Sequence, residues 1–265
     1  MELITSSSNK FIKEIKSLNK KRDRNKKGLY FIEGLRLVED AIKSNQPIEY
    51  ILYSDKIFQL EGGEELFDKF RNQFSHYKIE HNLFKEISDT DSPQGIMAVI
   101  NIRKYTLKDI IDENPFIIFL DRLQDPGNMG TIIRSADSLG ASGIIISKGS
   151  VDIYNPKVVR STMGSLFHLP IVEIDNSIET ISKLKESGIK VLATSLEEAK
   201  YCYDSDLTTN ILIIIGNEGN GISEELFNIS DENIIIPMKG NSESLNVAMA
   251  SSIIMYEVLR QRKNI

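Results

Sequence analysis

The stretch "FIIFLDRLQDPGNMGTIIRSADSLGASGIIIS", Phe116 to Ser147, decides the fold. It opens on an apolar, β-branched run, Phe116 to Leu120, and closes on another, Gly143 to Ser147. Between them Met129, Ile132, Ile133, Ala136 and Leu139 recur at three- and four-residue intervals, the repeat of one helix face, and Gly140 stands where a helix would stop. Asp125-Pro126-Gly127 reads as a turn, with the helix starting near Asn128. Continuous apolar strands arise where both faces of a sheet are covered, as in parallel sheets with crossover helices. Further along, "IKVLATS" (189–195), "ILIIIG" (211–216) and "NIIIP" (233–237) repeat the signal. Residues 116–265 are therefore expected to form an α/β domain on a parallel sheet.

Upstream, "RKYTLKDIIDENP" (103–115) mixes charge with a closing Pro115 and reads as a linker. Residues 1–102 read as a second, smaller α/β unit. A basic helix over 8–20 precedes the run "KKRDRNKKG"; strands are expected at "LYFIEG", "IEYILYS" and "QGIMAVINI", and a helix at "LRLVEDAIKSN".

Composition narrows the function classes. An apolar fraction of 41% over 265 residues is that of a chain with a core. The single cysteine, Cys202, excludes an internal disulfide framework, and no Cys/His spacing suggests a zinc site, so no metal is expected. The N-terminus has no apolar signal core and no run is long enough to span a bilayer, so the expected location is the cytoplasm, with no membrane partner. Net charge is −6, yet residues 1–36 carry ten Lys or Arg against four acids, leaving −12 on the remainder. Such a split fits a local phosphate-binding patch, or a solvated helix face.

In α/β sheets ligands collect beyond the carboxyl ends of the strands. Asn128 and Arg134 lie there after the first strand, as a polar group and a fixed charge for a ligand, or as a helix cap and a surface ion pair. "ILIIIGNEGNGIS" puts three glycines in six residues after a buried strand, without the Gly-Lys-Ser/Thr of a phosphate loop or the Gly-x-Gly-x-x-Gly of a dinucleotide fold. Its Glu218 argues against an anionic ligand; it suits a cationic one or clamps a neighbouring loop. Ile236, Pro237 and Met238 offer an apolar wall for an adenine ring, and Ser244, Leu245 and Asn246 open a helix whose apolar composition predicts burial on every side.

"DPGNMGTIIRSADSLG", "IIIGNEGNGIS" and "IPMKGNSESLNVAMASSIIMYE", in this order, closely resemble the three motifs of the SpoU (TrmH-like) RNA ribose 2′-O-methyltransferases of the SPOUT superfamily. "NPKVVRSTMGSLFHLPI" is similar to the segment that family carries between them, and "YFIEGLRLVEDAI" resembles, more loosely, its N-terminal L30e-like substrate-binding domain. The resemblance implies an S-adenosylmethionine-dependent homodimer with a C-terminal trefoil knot. It maps the cofactor to the backbone around Gly216, Asn217 and Gly219, to Ile236 and Leu245, and secondarily to Thr194 and Met238. It maps the polar functional residues to Asn128, Arg134, Glu218, Ser244 and Asn246. RNA would follow Lys20, Lys21, Arg22, Arg24, Lys26 and Lys27, with 23S ribosomal RNA as the expected substrate and transfer RNA as the alternative. A non-catalytic RNA-binding or ribosome-assembly protein on the same fold is the competing reading. A guanidinium stays protonated, so Arg134 is expected to stabilise alkoxide charge and hold an adjoining phosphate, with the proton passing to that phosphate.

Overall fold

The computed structural model describes residues 3–88, 90–196, 199–241 and 243–263. The chain divides into two compact units. One runs to Arg103 and takes in Tyr154–Phe167; the other holds Lys104–Ile153 and the chain from His168 onward.

The N-terminal half is built from α1 (Lys10–Leu18), α2 (Lys21–Lys27), β1 (Leu29–Glu33), α3 (Leu35–Lys43), β2 (Ile48–Tyr53), α4 (Gly63–Phe70), β3 (His76–Lys78), α5 (His81–Ile87) and β4 (Ile96–Asn101). The strands lie in the order β1-β4-β2-β3, with β4 antiparallel to both neighbours and β3 parallel to β2. Ile12, Ile15 and Leu18 of α1 pack with Phe84 and Ile87 of α5 on one sheet face, against Phe31, Leu52, Met97 and Val99. The run "KKRDRNKKG" is itself helical: Gly28, at φ 67°, ends α2 in the left-handed geometry that other residues rarely adopt.

The C-terminal half follows as β5 (Phe116–Leu120), α6 (Pro126–Ser138), β6 (Gly143–Ser147), α7 (Pro156–Thr162), β7 (Ile171–Ile174), α8 (Ser177–Glu186), β8 (Lys190–Thr194), β9 (Lys200–Tyr201), β10 (Ile211–Ile215), α9 (Glu224–Ile229), β11 (Glu232–Ile235) and α10 (Val247–Lys263). All but α7 belong to the second unit. Its sheet runs β7-β6-β5-β10-β8-β11-β9 and every pairing is parallel. The central strands are buried along their whole length, which is why they read as unbroken apolar runs.

Two segments differ in detail from the sequence reading. Residues 103–115 are ordered by a Thr106/Asp109 capping box, and Ile110 is part of the C-terminal core, with Tyr105 and Leu107 packed on it. Tyr154–Phe167, read with the C-terminal domain, is compact with the N-terminal one: the Tyr154 ring lies 4.7 Å from that of Tyr30, and Gln46 donates to the Phe167 carbonyl at 3.2 Å. Among the described residues no helix is long and apolar enough to cross a membrane, and no group of acids, His or Cys could hold a metal ion.

Candidate active site

The site is built where β5, β8, β10 and β11 end. After β5 the helix α6 starts at Pro126 rather than near Asn128, because Asp125 is its cap: its Oδ1 accepts the Asn128 N–H at 2.8 Å, and Pro126 fills the first helical position. Asn128 is thereby freed from capping, and its side chain turns to the neighbouring loops. Asn246 Nδ2 donates to Asn128 Oδ1 at 3.0 Å, and Asn128 Nδ2 donates to Glu218 Oε1 at 3.1 Å. The Glu218 carboxylate also accepts the backbone N–H groups of Asp125 (3.1 Å) and Gln124 (3.4 Å), so it clamps the β5–α6 loop. Asn246 caps α10, its Oδ1 accepting from Ala248 and Met249. One chain of side chains thus joins three loops.

Burial pushes the Glu218 carboxyl up, but the hydrogen bonds from Asn128 and from the backbone outweigh it and hold the group below the usual carboxylate range. It is ionised at neutral pH and fully engaged, which fits a clamp and not a proton shuttle. The glycine loop is locked as well. Asn217 and Gly221 exchange backbone hydrogen bonds at 3.0 Å, and Asn217 Oδ1 accepts from Gly219 and Asn220. Gly221 sits at φ 63°, and a Cβ on Gly216 would lie 2.5 Å from the Ile222 nitrogen, so neither position accepts a side chain without a shift.

These loops enclose a cavity of about 760 Å³. Thr194, Gly216, Asn217, Gly219, Ile236, Met238 and Leu245 all line it, together with Glu218, Ser244 and Asn246. Thr194 is oriented by donating its hydroxyl to the Ile214 carbonyl at 3.0 Å. No Lys, Arg or His is among the lining residues described, and Glu218 is the charged group there. Ser244 is exposed and makes no hydrogen bond among the described residues. Arg134 is exposed on α6, does not line the cavity of its own chain, and among the described residues has neither hydrogen bond nor ion pair; its charge is available to a ligand. Of the basic segment, Lys20, Lys21, Arg22, Lys26 and Lys27 are exposed, and Lys27 pairs with Glu14 at 2.9 Å. Arg24 is only 2% exposed and donates to the Leu18 carbonyl at 2.7 Å, a bond that ties α1 to α2 and takes its guanidinium off the surface.

One pair escaped the sequence reading. Asp121, 3% exposed at the end of β5, accepts from Nε and Nη2 of Arg122 and from the Ser223 N–H. Arg122 adopts φ 53°, a left-handed conformation that costs a non-glycine residue about 1–2 kcal/mol. The signal was an acid followed by a base directly after an apolar strand.

Residues 115–256 match the SpoU rRNA methylase family, and residues 9–98 match an MRM3-like substrate-binding domain. The chain belongs to the SpoU rRNA methylase family. The 23S rRNA (guanosine(2553)-2′-O)-methyltransferase RlmP of Bacillus subtilis is 33% identical, over 97% of this chain and 99% of its own. The 23S rRNA (uridine(2479)-2′-O)-methyltransferase of Streptomyces viridochromogenes is 32% identical, over 98% and 92%. An AdoMet-bound rRNA methyltransferase from Sinorhizobium meliloti superposes with a TM-score of 0.87 at 31% identity, covering 98% of this chain and 97% of that one. A SpoU rRNA methylase needs a place for S-adenosylmethionine, and the cavity fits it. The volume suits a nucleoside-sized ligand, Ile236, Met238 and Leu245 give an apolar wall, and a carboxylate without a neighbouring cation favours a sulfonium over a phosphate.

Proposed function

We propose that the chain transfers a methyl group from S-adenosylmethionine to a ribose 2′-hydroxyl of 23S ribosomal RNA in the cytoplasm. The observation that carries this reading is the Asn246–Asn128–Glu218 chain closing three loops around a cavity lined by no cation among the described residues. S-adenosylmethionine, when bound, supplies a methyl group already activated on a sulfonium. The protein therefore has chiefly to align the hydroxyl and manage its proton. Ile236, Met238 and Leu245 hold the apolar part of the cofactor, and the locked backbone at Gly216 to Gly219 fixes its polar edges. Asn128, held rigid from both sides, orients the ribose. Arg134 stabilises charge developing on the 2′-oxygen and holds the adjoining phosphate, which takes the proton. Lys20 and the exposed Lys21, Arg22, Lys26 and Lys27 of α2 follow the RNA backbone.

Two further features belong to this reading. Met249, Ile253 and Tyr256 are 60%, 42% and 55% exposed at helical spacing on α10, an apolar stripe that a second copy would cover. The helix bearing Arg134 is pinned to α10 by the Ser135–Ser252 hydroxyl pair at 2.8 Å; on this reading a second copy seated on the stripe would bring Arg134 toward the cavity it serves. The C-terminal trefoil knot is the second; it is supported by the strand order, in which β10 enters between β5 and β8, and β11 between β8 and β9.

Calorimetric titration with S-adenosylmethionine, followed by methylation of unmodified 23S and transfer RNA transcripts, tests the proposal. Binding with methyl transfer to 23S RNA is expected. Failure to bind the cofactor, with no methyl transfer to either RNA, would leave only an RNA-binding protein, and transfer to transfer RNA alone would replace the substrate.

A further inference from the structure

We propose that Arg122 is a second RNA-binding arginine of this site, holding a backbone phosphate of the substrate strand. The assignment rests on the reading of the site as an RNA ribose methyltransferase. Arg122 is an arginine in a backbone conformation that suits glycine, so its side chain is kept against a local cost. Its guanidinium is aimed by a buried acceptor: Nε donates to Asp121 Oδ1 at 3.2 Å and Nη2 to Oδ2 at 3.0 Å. Asp121 is itself fixed by the Ser223 N–H at 3.0 Å and by the Ser147 hydroxyl, which accepts the Arg122 N–H at 2.8 Å. The stem packs alongside Gly149, where a Cβ would lie 3.6 Å from Arg122 Cγ.

That fork uses one edge of a planar group with five N–H donors. The other edge, formed by Nη1 and the second Nη2 hydrogen, has no partner among the described residues, and the side chain is 41% exposed. A guanidinium held along one edge and open along the other is set up for bidentate contact with an anionic oxygen pair. Its position ties it to the chemistry. The Arg122 carbonyl accepts from Asn217 Nδ2 at 2.8 Å, and Glu218 clamps the two residues that follow Leu123. The cavity lining described contains no cation, so charge for the RNA strand has to come from beside it, and Arg122 is fixed there. Because the contact is to phosphate, it positions the strand without reading bases.

The test uses the full chain and an unmodified 23S rRNA transcript. Replacing Arg122 alone strands the buried Asp121, so the informative variant is the charge-neutral double change Asp121→Asn with Arg122→Gly, which keeps an acceptor for Ser223 and removes the backbone cost. Cofactor affinity is expected to stay within about twofold of the parent and kcat within about threefold. The KM for RNA should rise about tenfold, with the log–log salt dependence of RNA binding shallower by about 0.7–0.9, the increment of one phosphate contact. Arg122→Lys, which keeps charge but not the fork, should recover part of the loss. An unchanged KM and salt slope, or a loss of cofactor affinity equal to the loss of RNA affinity, would overturn the assignment and leave the pair as a structural ion pair. A parent chain that binds no S-adenosylmethionine overturns the functional reading itself, and this assignment with it.

Discussion

The Glu218 carboxylate is committed to clamping: it accepts from Asn128 and from two backbone N–H groups. Glu218→Gln keeps the shape but weakens charge-assisted bonds, so turnover should fall about tenfold with the fold intact, as steady-state kinetics beside a thermal melt would show. The same bonds set a pH direction. The folded chain holds this carboxyl below its ordinary value of 4.5, so the stability it contributes is complete above that value and is lost as pH falls through the lowered one. Cofactor affinity should therefore be flat between about pH 6 and 9 as far as this clamp is concerned, and fail on the acid side; a Glu218-dependent loss near neutrality would contradict it. At Arg134, replacement by Lys should leave S-adenosylmethionine affinity nearly unchanged and cut turnover about 10²-fold, because a point charge replaces a planar fork. Equal turnover would show that the guanidinium geometry is not used. At this scale the sequence pointed to Asn128, Glu218 and Asn246, which the fold links, and equally to Ser244 and Arg134, which it does not link to them among the described residues of the chain. Asp125 and Asn128 are both good caps by type, and only the fixed φ of Pro126 at the first helical position decides between them.

Elements were more legible than their exposure. The periodicity of α6 placed its buried face correctly, since Met129, Ile132, Ile133 and Ala136 are all buried. For α10 the nearly uniform apolar composition predicted burial all round, whereas Met249, Ile253 and Tyr256 face outward. Composition reports what a helix can bury and says nothing of whether the cover is supplied by its own chain. Ile253→Asp puts a charge in that stripe; it should convert a dimer to monomer in light scattering, abolish methyl transfer and leave the melt of each subunit's secondary structure within a few degrees. A monomeric parent chain would remove the basis of the pairing. Short segments between residues 54 and 94, including α4, α5 and the three-residue β3, gave no usable period, because elements of one or two turns contain too few repeats to register.

Taken whole, the molecule has two units that are not continuous in chain order. The class of both halves, an α/β fold with a parallel C-terminal sheet, was legible because buried strands leave continuous apolar runs. The membership of Tyr154–Phe167 was not, because long-range packing such as that of Tyr154 on Tyr30 leaves no periodic trace. That excursion has a practical consequence. A nick between Arg103 and Pro115 does not release two self-sufficient pieces, since the downstream fragment still carries part of the upstream unit. Co-expressed as 1–103 and 104–265, the halves should reassemble into a working enzyme, each serving as the folding template for the other; expressed singly, the shorter should be insoluble or rapidly degraded. The protein is, in effect, already wired as a complementation pair, with residues 154–167 as the tongue by which one fragment recognises its mate.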